Sequence, residues 1–73
     1  MRSLGERLRS LRTRKKIMAK SIAELLQVSP RNYQRYERDE VDMPTSKLAI
    51  LADYYNMSTD YLLGRTDNPA INL

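Results

Sequence analysis

The sequence predicts an all-α domain built from five short helices. Three observations point there. Proline and glycine are sparse, at three and two residues in 73. Leucine, isoleucine, alanine and tyrosine recur at spacings of three and four, which puts them on one face of a helix. Serines stand where a helix start needs an oxygen acceptor. No stretch alternates apolar and polar residues with β-branched enrichment, as a half-buried strand would. The expected organisation is one domain over residues 1–65 and a tail over 66–73.

The first helix starts at Ser3, where Ser3-x-x-Glu6 reads as a capping box with two reciprocal bonds. Leu4, Leu8 and Leu11 follow as its buried stripe, with the arginines mostly opposite. The second helix runs from about Ala19 to Leu26, with Ile22, Ala23 and Leu26 inward. Met18 is a poor cap, so this end lacks a side-chain acceptor, a cost of about 1 kcal/mol. The third helix covers Pro30 to Arg38, with Ser29 as its cap; proline loses nothing at the start because its N–H would be orphaned. A polar loop, RDEVDMP, comes next. The fourth helix covers about Thr45 to Tyr55, with Leu48, Leu51, Ala52 and Tyr55 inward. Ser58 caps the fifth, TDYLL, where Met57 and Leu62 form a hydrophobic staple and Gly64 closes the end. The tail RTDNPAINL is polar and loosely held.

Composition removes several function classes. Cysteine and histidine are absent. Disulfides, Cys/His zinc sites and imidazole bases are therefore excluded. The carboxylates form no convincing catalytic pair, and two glycines are too few for a phosphate-cradling loop. The expectation is a protein that is not an enzyme, with no cofactor, no metal and no evident small-molecule ligand. No apolar run approaches the roughly 20 residues of a membrane span. The basic start lacks a following apolar segment, so it does not read as a signal peptide. A cytoplasmic protein of bacterial or phage origin is expected.

The net charge of +4 is unevenly placed. Residues 1–20 carry eight basic side chains against Glu6, a balance of +7, and the rest of the chain is at −3. Such asymmetry fits an anionic partner, or simply a solubilising helix surface.

The segment VSPRNYQRYE sharpens the choice. At about 100° per residue, Tyr33 and Tyr36 lie roughly 60° apart, and Glu37 sits about 40° from Tyr33 on the other side. Arg31, Arg35 and Arg38 fall roughly 140–200° from Tyr33, with Gln34 at about 100° and Asn32 flanking. An outward stripe of this kind is either a solvated face or a reader of the DNA major groove. Arginine can bond guanine O6 and N7 as a pair, and glutamine or asparagine can do the same with adenine. A short helix and a turn of about three residues precede this face. That order is a helix-turn-helix, whose second helix reads bases.

In these segments the chain resembles the Cro/repressor-type helix-turn-helix family, the lambda repressor-like or XRE domains of phage repressors and bacterial regulators. LGERLRSLRTRKK resembles its first helix, IAELLQVSPRNYQRYER its helix-turn-helix, and LAILADYYNMSTDYLLGRTDNP its last two helices. The resemblance covers residues 3–65. It implies a sequence-specific regulator of double-stranded DNA, of the repressor type, acting as a homodimer on a pseudo-palindromic operator. It carries base reading to Ser29, Pro30, Arg31, Gln34 and Arg35. It carries phosphate contacts to Lys16, Lys20, Asn32 and Arg38. It also pairs Arg12 with Glu37 in a partly buried salt bridge that holds the reading helix to the first helix.

Three departures from the family pattern matter. Met18 and Ala19 stand where the family has a hydroxyl cap and a glutamine. Gln27 stands where the turn often has glycine, at a cost of roughly 1 kcal/mol if its backbone is left-handed. Asp39, Glu40 and Asp42 make the loop after the reading helix acidic, which is expected to weaken phosphate contact. The acidic loop supports the alternative function, a fold relative acting through a protein partner as an antitoxin or regulatory adaptor. Ile50, Tyr54, Leu62, Leu63, Ile71 and Leu73 supply apolar surface, part of it core and the remainder expected to form a dimer through the last two helices. The tail leaves two readings open, a complete Cro-like chain or the DNA-binding part of a longer repressor.

Overall fold

Five helices leave their last turns in the same way, and this repeated exit shapes the molecule. A computed structural model describes residues 3–68. Its helices are α1 (Leu4–Arg14), α2 (Ala19–Leu26), α3 (Pro30–Glu37), α4 (Thr45–Tyr55) and α5 (Thr59–Leu62). After each one, a single residue takes positive φ: Lys16, Gln27, Asp39, Asn56 and Gly64. The following N–H then reaches back to a carbonyl five residues earlier, as from Val28 to Ala23 and from Met57 to Ala52. This is the Schellman closure, which satisfies carbonyls the helix leaves orphaned. Only Gly64 adopts the left-handed region without a Cβ penalty; each of the other four carries roughly 1 kcal/mol of strain. Ile17, Val28 and Met57 repay part of it by packing on the core just past the turn.

Helix starts follow the hydroxyl caps. Ser3, Ser29 and Ser58 accept from the N–H groups of Glu6, Asn32 and Tyr61. No side chain caps α2, which starts at Ala19 after Met18 in extended backbone. The N–H of Ser21 donates to the Met18 carbonyl, so Ser21 already lies inside the helix. The capping box at α1 is only half made. The Ser3 hydroxyl accepts from Glu6, while Glu6 itself is exposed. Asp39 comes instead from the far side of the fold: it accepts from the Ser3 hydroxyl and, at 3.0 Å, from the Gly5 N–H. Two ends fall one residue short of expectation. Arg38 caps α3 rather than extending it, and Leu63 caps α5.

The core is one cluster to which every helix contributes. Leu8, Ile22, Leu26, Tyr33, Leu51 and Leu62 are essentially inaccessible to solvent. α3 packs between α1 and α2, while α5 bridges α1 and α4. Ile71 and Leu73, expected to add apolar surface, lie outside the described residues, as does the tail beyond Asn68. Among the described residues no helix is long and apolar enough to cross a membrane, and no cluster of carboxylates could hold a metal ion.

Candidate nucleic-acid interface

The site is the outward face of α3, and its geometry starts from what pins the inward face. Tyr33 is fully buried and Tyr36 nearly so. Glu37 follows on the same side, with a side chain only 6% exposed. A buried carboxylate needs a full set of donors. Arg12 supplies two: its Nε donates to one Glu37 oxygen at 2.7 Å and its Nη2 to the other at 3.1 Å. The third nitrogen of Arg12 donates to the Ile17 carbonyl at 3.0 Å. One guanidinium thus joins α1, the turn after it and α3. The hydrogen bond that Arg12 donates to Glu37 raises the Arg12 pKa further, so the cation is permanent. The Tyr33 hydroxyl lies in this neighbourhood without an aligned partner; burial first, and then Glu37, hold it in the protonated form.

With the inner face fixed, Ser29, Pro30, Arg31, Gln34 and Arg35 are all exposed, and Asn32 is half-buried. The Ser29 oxygen accepts from the Asn32 N–H at 3.1 Å, which leaves its O–H free to donate elsewhere. Pro30 offers only its ring. A shallow open groove runs between Val28, Ser29, Arg31, Asn32 and Arg35. Lys16 sits in the left-handed turn after α1 and Lys20 in the first turn of α2, both exposed. The structure therefore gathers the α3 residues into one row. Lys16 and Lys20 stand on the elements leading into it.

The acidic loop does not behave as its composition suggests. Asp39 turns toward the α1 N-terminus, where negative charge is favourable. Glu40 lies between Arg35 of α3 and the capping Arg38, 2.8 Å from Arg38 Nε and 3.9 Å from Arg35 Nε. All three side chains are exposed, and of the three only Asp42 has neither a hydrogen bond nor an ion pair among the described residues.

Sequence reasoning missed three supports of the site. A Cβ on Gly5 would come within 2.7 Å of the Tyr36 carbonyl oxygen and closer still to that of Glu37. α1 and α3 can therefore meet only at a glycine. A glycine inside a helical pattern is a recognisable sign of such an approach. Lys47 donates from α4 to the Leu26 carbonyl at 2.8 Å, closing the end of α2 beside the turn. Arg7 donates to the Tyr61 carbonyl and lies over the Tyr61 ring at 5.1 Å, tying α5 to α1. Neither of the last two had a local signal, because the partners are 21 and 54 residues apart.

Comparison with known proteins fits this arrangement. A helix-turn-helix domain family matches residues 3–63. The HTH-type transcriptional regulator ImmR of Bacillus subtilis is 43% identical over 65 residues, covering 89% of this chain and 51% of its own. The regulator YobD of the same organism is 41% identical over 64 residues, covering 88% and 57%. The chain thus spans about half the length of these curated relatives. The crystal structure of the P22 c2 repressor in complex with a synthetic operator superposes with a TM-score of 0.78. It has 30% identity and covers 86% of this chain and 96% of that one. On its fold, its reading-helix geometry and these relatives, the chain belongs to the Cro/repressor-type helix-turn-helix family.

Proposed function

We propose that this domain regulates transcription as a repressor, binding operator DNA by laying α3 in the major groove. One observation carries the reading. The α3 face with Arg31, Gln34 and Arg35 is exposed while its reverse is buried and clamped through Arg12 and Glu37. A reading head needs this combination, because base-edge bonds demand a rigid donor array. The solved relative bound to a synthetic operator supports it by likeness. Arg31 and Arg35 are assigned to guanine, Gln34 to adenine, and Ser29 and Pro30 to neighbouring base edges. Lys16, Lys20, Asn32 and Arg38 are assigned to phosphates, which set register and carry the salt-dependent share of affinity.

The working form is a homodimer on a pseudo-palindrome in the cytoplasm. Ile50, Tyr54 and Leu63 are 39%, 49% and 44% exposed, enough apolar surface on α4 and beside α5 to seat a second copy. A protein-partner function draws its support from the acidic loop, in which Asp39 is hydrogen-bonded to the α1 N-terminus and Glu40 is paired with Arg38 at the surface.

Selection from a random duplex library tests the reading, followed by affinity against salt. The expected winner is a pseudo-palindrome with half-sites about 10 base pairs apart. Arg35→Ala should cost about 1–3 kcal/mol on that site and relax one base pair, while Lys20→Ala weakens all sequences alike. A library that enriches nothing overturns the reading. A mass that stays monomeric at every concentration, free and on the operator, overturns the dimer.

A further inference from the structure

Glu40 is an acidic residue at the one place where a DNA-binding helix should want none. Its backbone cannot move away. The Glu40 N–H closes the α3 exit by donating to the Arg35 carbonyl at 2.9 Å, so the residue is built into the last turn of the reading helix. Its carboxylate spans the two arginines there, with one oxygen 2.8 Å from Arg38 Nε and the other 3.9 Å from Arg35 Nε. All three side chains are about half exposed or more. An ion pair this wet does little for the fold. Its effect falls instead on the two cations, which DNA would otherwise own.

We propose that Glu40 is a built-in counterion of the reading helix, a carboxylate that phosphate must displace from Arg38 and a base edge from Arg35. The inference rests on the DNA-binding reading above and adds how tightly any duplex is held. Binding to phosphate releases the small cations condensed on DNA, which makes affinity fall with salt. When Arg38 leaves Glu40 for a phosphate, the freed carboxylate recruits a cation again, so one release is cancelled. Glu40 therefore lowers affinity for every duplex and flattens the salt dependence. The Arg38 contact to phosphate is available on any duplex, so this discount is common to operator and non-specific DNA.

The experiment compares the unmodified protein with Glu40→Gln, using a labelled duplex of random sequence across a salt series. Glutamine keeps the shape and the backbone bond and removes only the charge, so the melting temperature should not change. Glu40→Gln is expected to bind about fivefold to tenfold tighter at low salt, the scale of one close ion pair in water. The log–log salt slope should steepen by about 0.9, one phosphate's worth. Two variants hold the claim to the pair. Asp42→Asn, which removes an unpaired acid of the same loop, should gain less than about twofold. Adding Arg38→Ala to Glu40→Gln should abolish most of the gain. Equal gains from Asp42→Asn and Glu40→Gln, or an unchanged slope, would overturn the counterion. Salt-dependent binding by the unmodified protein with no change in Glu40→Gln sinks this inference alone. No duplex binding by either protein sinks the DNA-binding reading with it.

Discussion

The α1–α3 junction and the α4–α5 pair hold helices together by different physics. At the first, a bidentate ion pair, a glycine contact and an aspartate cap meet within a few residues. At the second, Leu51, Ala52, Tyr55 and Leu62 bury side chains with little direction in the contact. Hydrophobic burial fixes how much surface is covered; polar contacts fix angle and register. The reading face lies on the helix held by the second kind of contact. The apolar remainder, Ile50, Tyr54 and Leu63, lies on the other side.

The largest expected break is Arg12→Ala. It strands a carboxylate only 6% exposed, and should cost about 3–5 kcal/mol in a urea titration. Replacing both partners by methionine should recover most of the stability and none of the operator affinity. Recovery of both would show that direction at the junction is irrelevant. Arg12→Lys should fail nearly as badly as alanine, because an ammonium cannot make the paired bonds to Glu37 and also reach the Ile17 carbonyl. The apolar side behaves otherwise. Leu62→Ala should cost about 2–5 kcal/mol, yet Leu62→Met under about 1.5. If methionine there proved as damaging as alanine, α5 packing would be as shape-specific as the polar junction.

Gly5→Ala comes next, at about 1–3 kcal/mol, because the added methyl meets backbone oxygens that cannot turn aside. Unchanged stability would mean that α1 and α3 slide freely past each other. A smaller, opposite effect is expected at the turn between α2 and α3. Gln27 has φ of 59°, so Gln27→Gly should raise stability by about 1 kcal/mol. A loss there would show that the unfolded-state entropy of glycine outweighs the relieved strain.

The weakest effect sits where the two regions touch. Tyr55 belongs to α4, and its buried hydroxyl has no partner. Burial first, then Tyr54 and Glu37, push its pKa up to about 12. The folded state therefore keeps a proton that the unfolded chain releases near pH 10. The stability linked to this group is complete below pH 10 and disappears as pH rises to about 12. Tyr55→Phe should blunt that alkaline loss and leave neutral-pH stability within about 1 kcal/mol. An unaltered alkaline profile would move the cause to Tyr33, whose pKa is raised in the same sense.

The contrast also separates what could be read along the chain from what could not. Caps at Ser29 and Ser58, the inward leucines and the outward arginines of α3 are local, repeating every three or four residues. They are legible because a helix maps sequence spacing directly onto faces. The pairing of Arg12 with Glu37 came only from likeness to a family, since nothing within either helix points to the other. The destination of Asp39 at Ser3 and Gly5 was not legible for the same reason, since it is 34 residues or more away in sequence.

By itself, then, the sequence determined five helices, their inward faces, the exposed row on α3 and the lack of any thiol or imidazole group. Each of those depends on neighbours along the chain or on composition. Tertiary structure alone decided where the charges of the acidic loop go, why Gly5 is a glycine, and how Lys47 closes α2. Long-range polar contacts depend on the distance between atoms of separate helices, and only the packed core sets that distance. So three carboxylates that stand together in the sequence go to different places: Asp39 to the α1 N-terminus, Glu40 to Arg38, and Asp42 to no partner among the described residues.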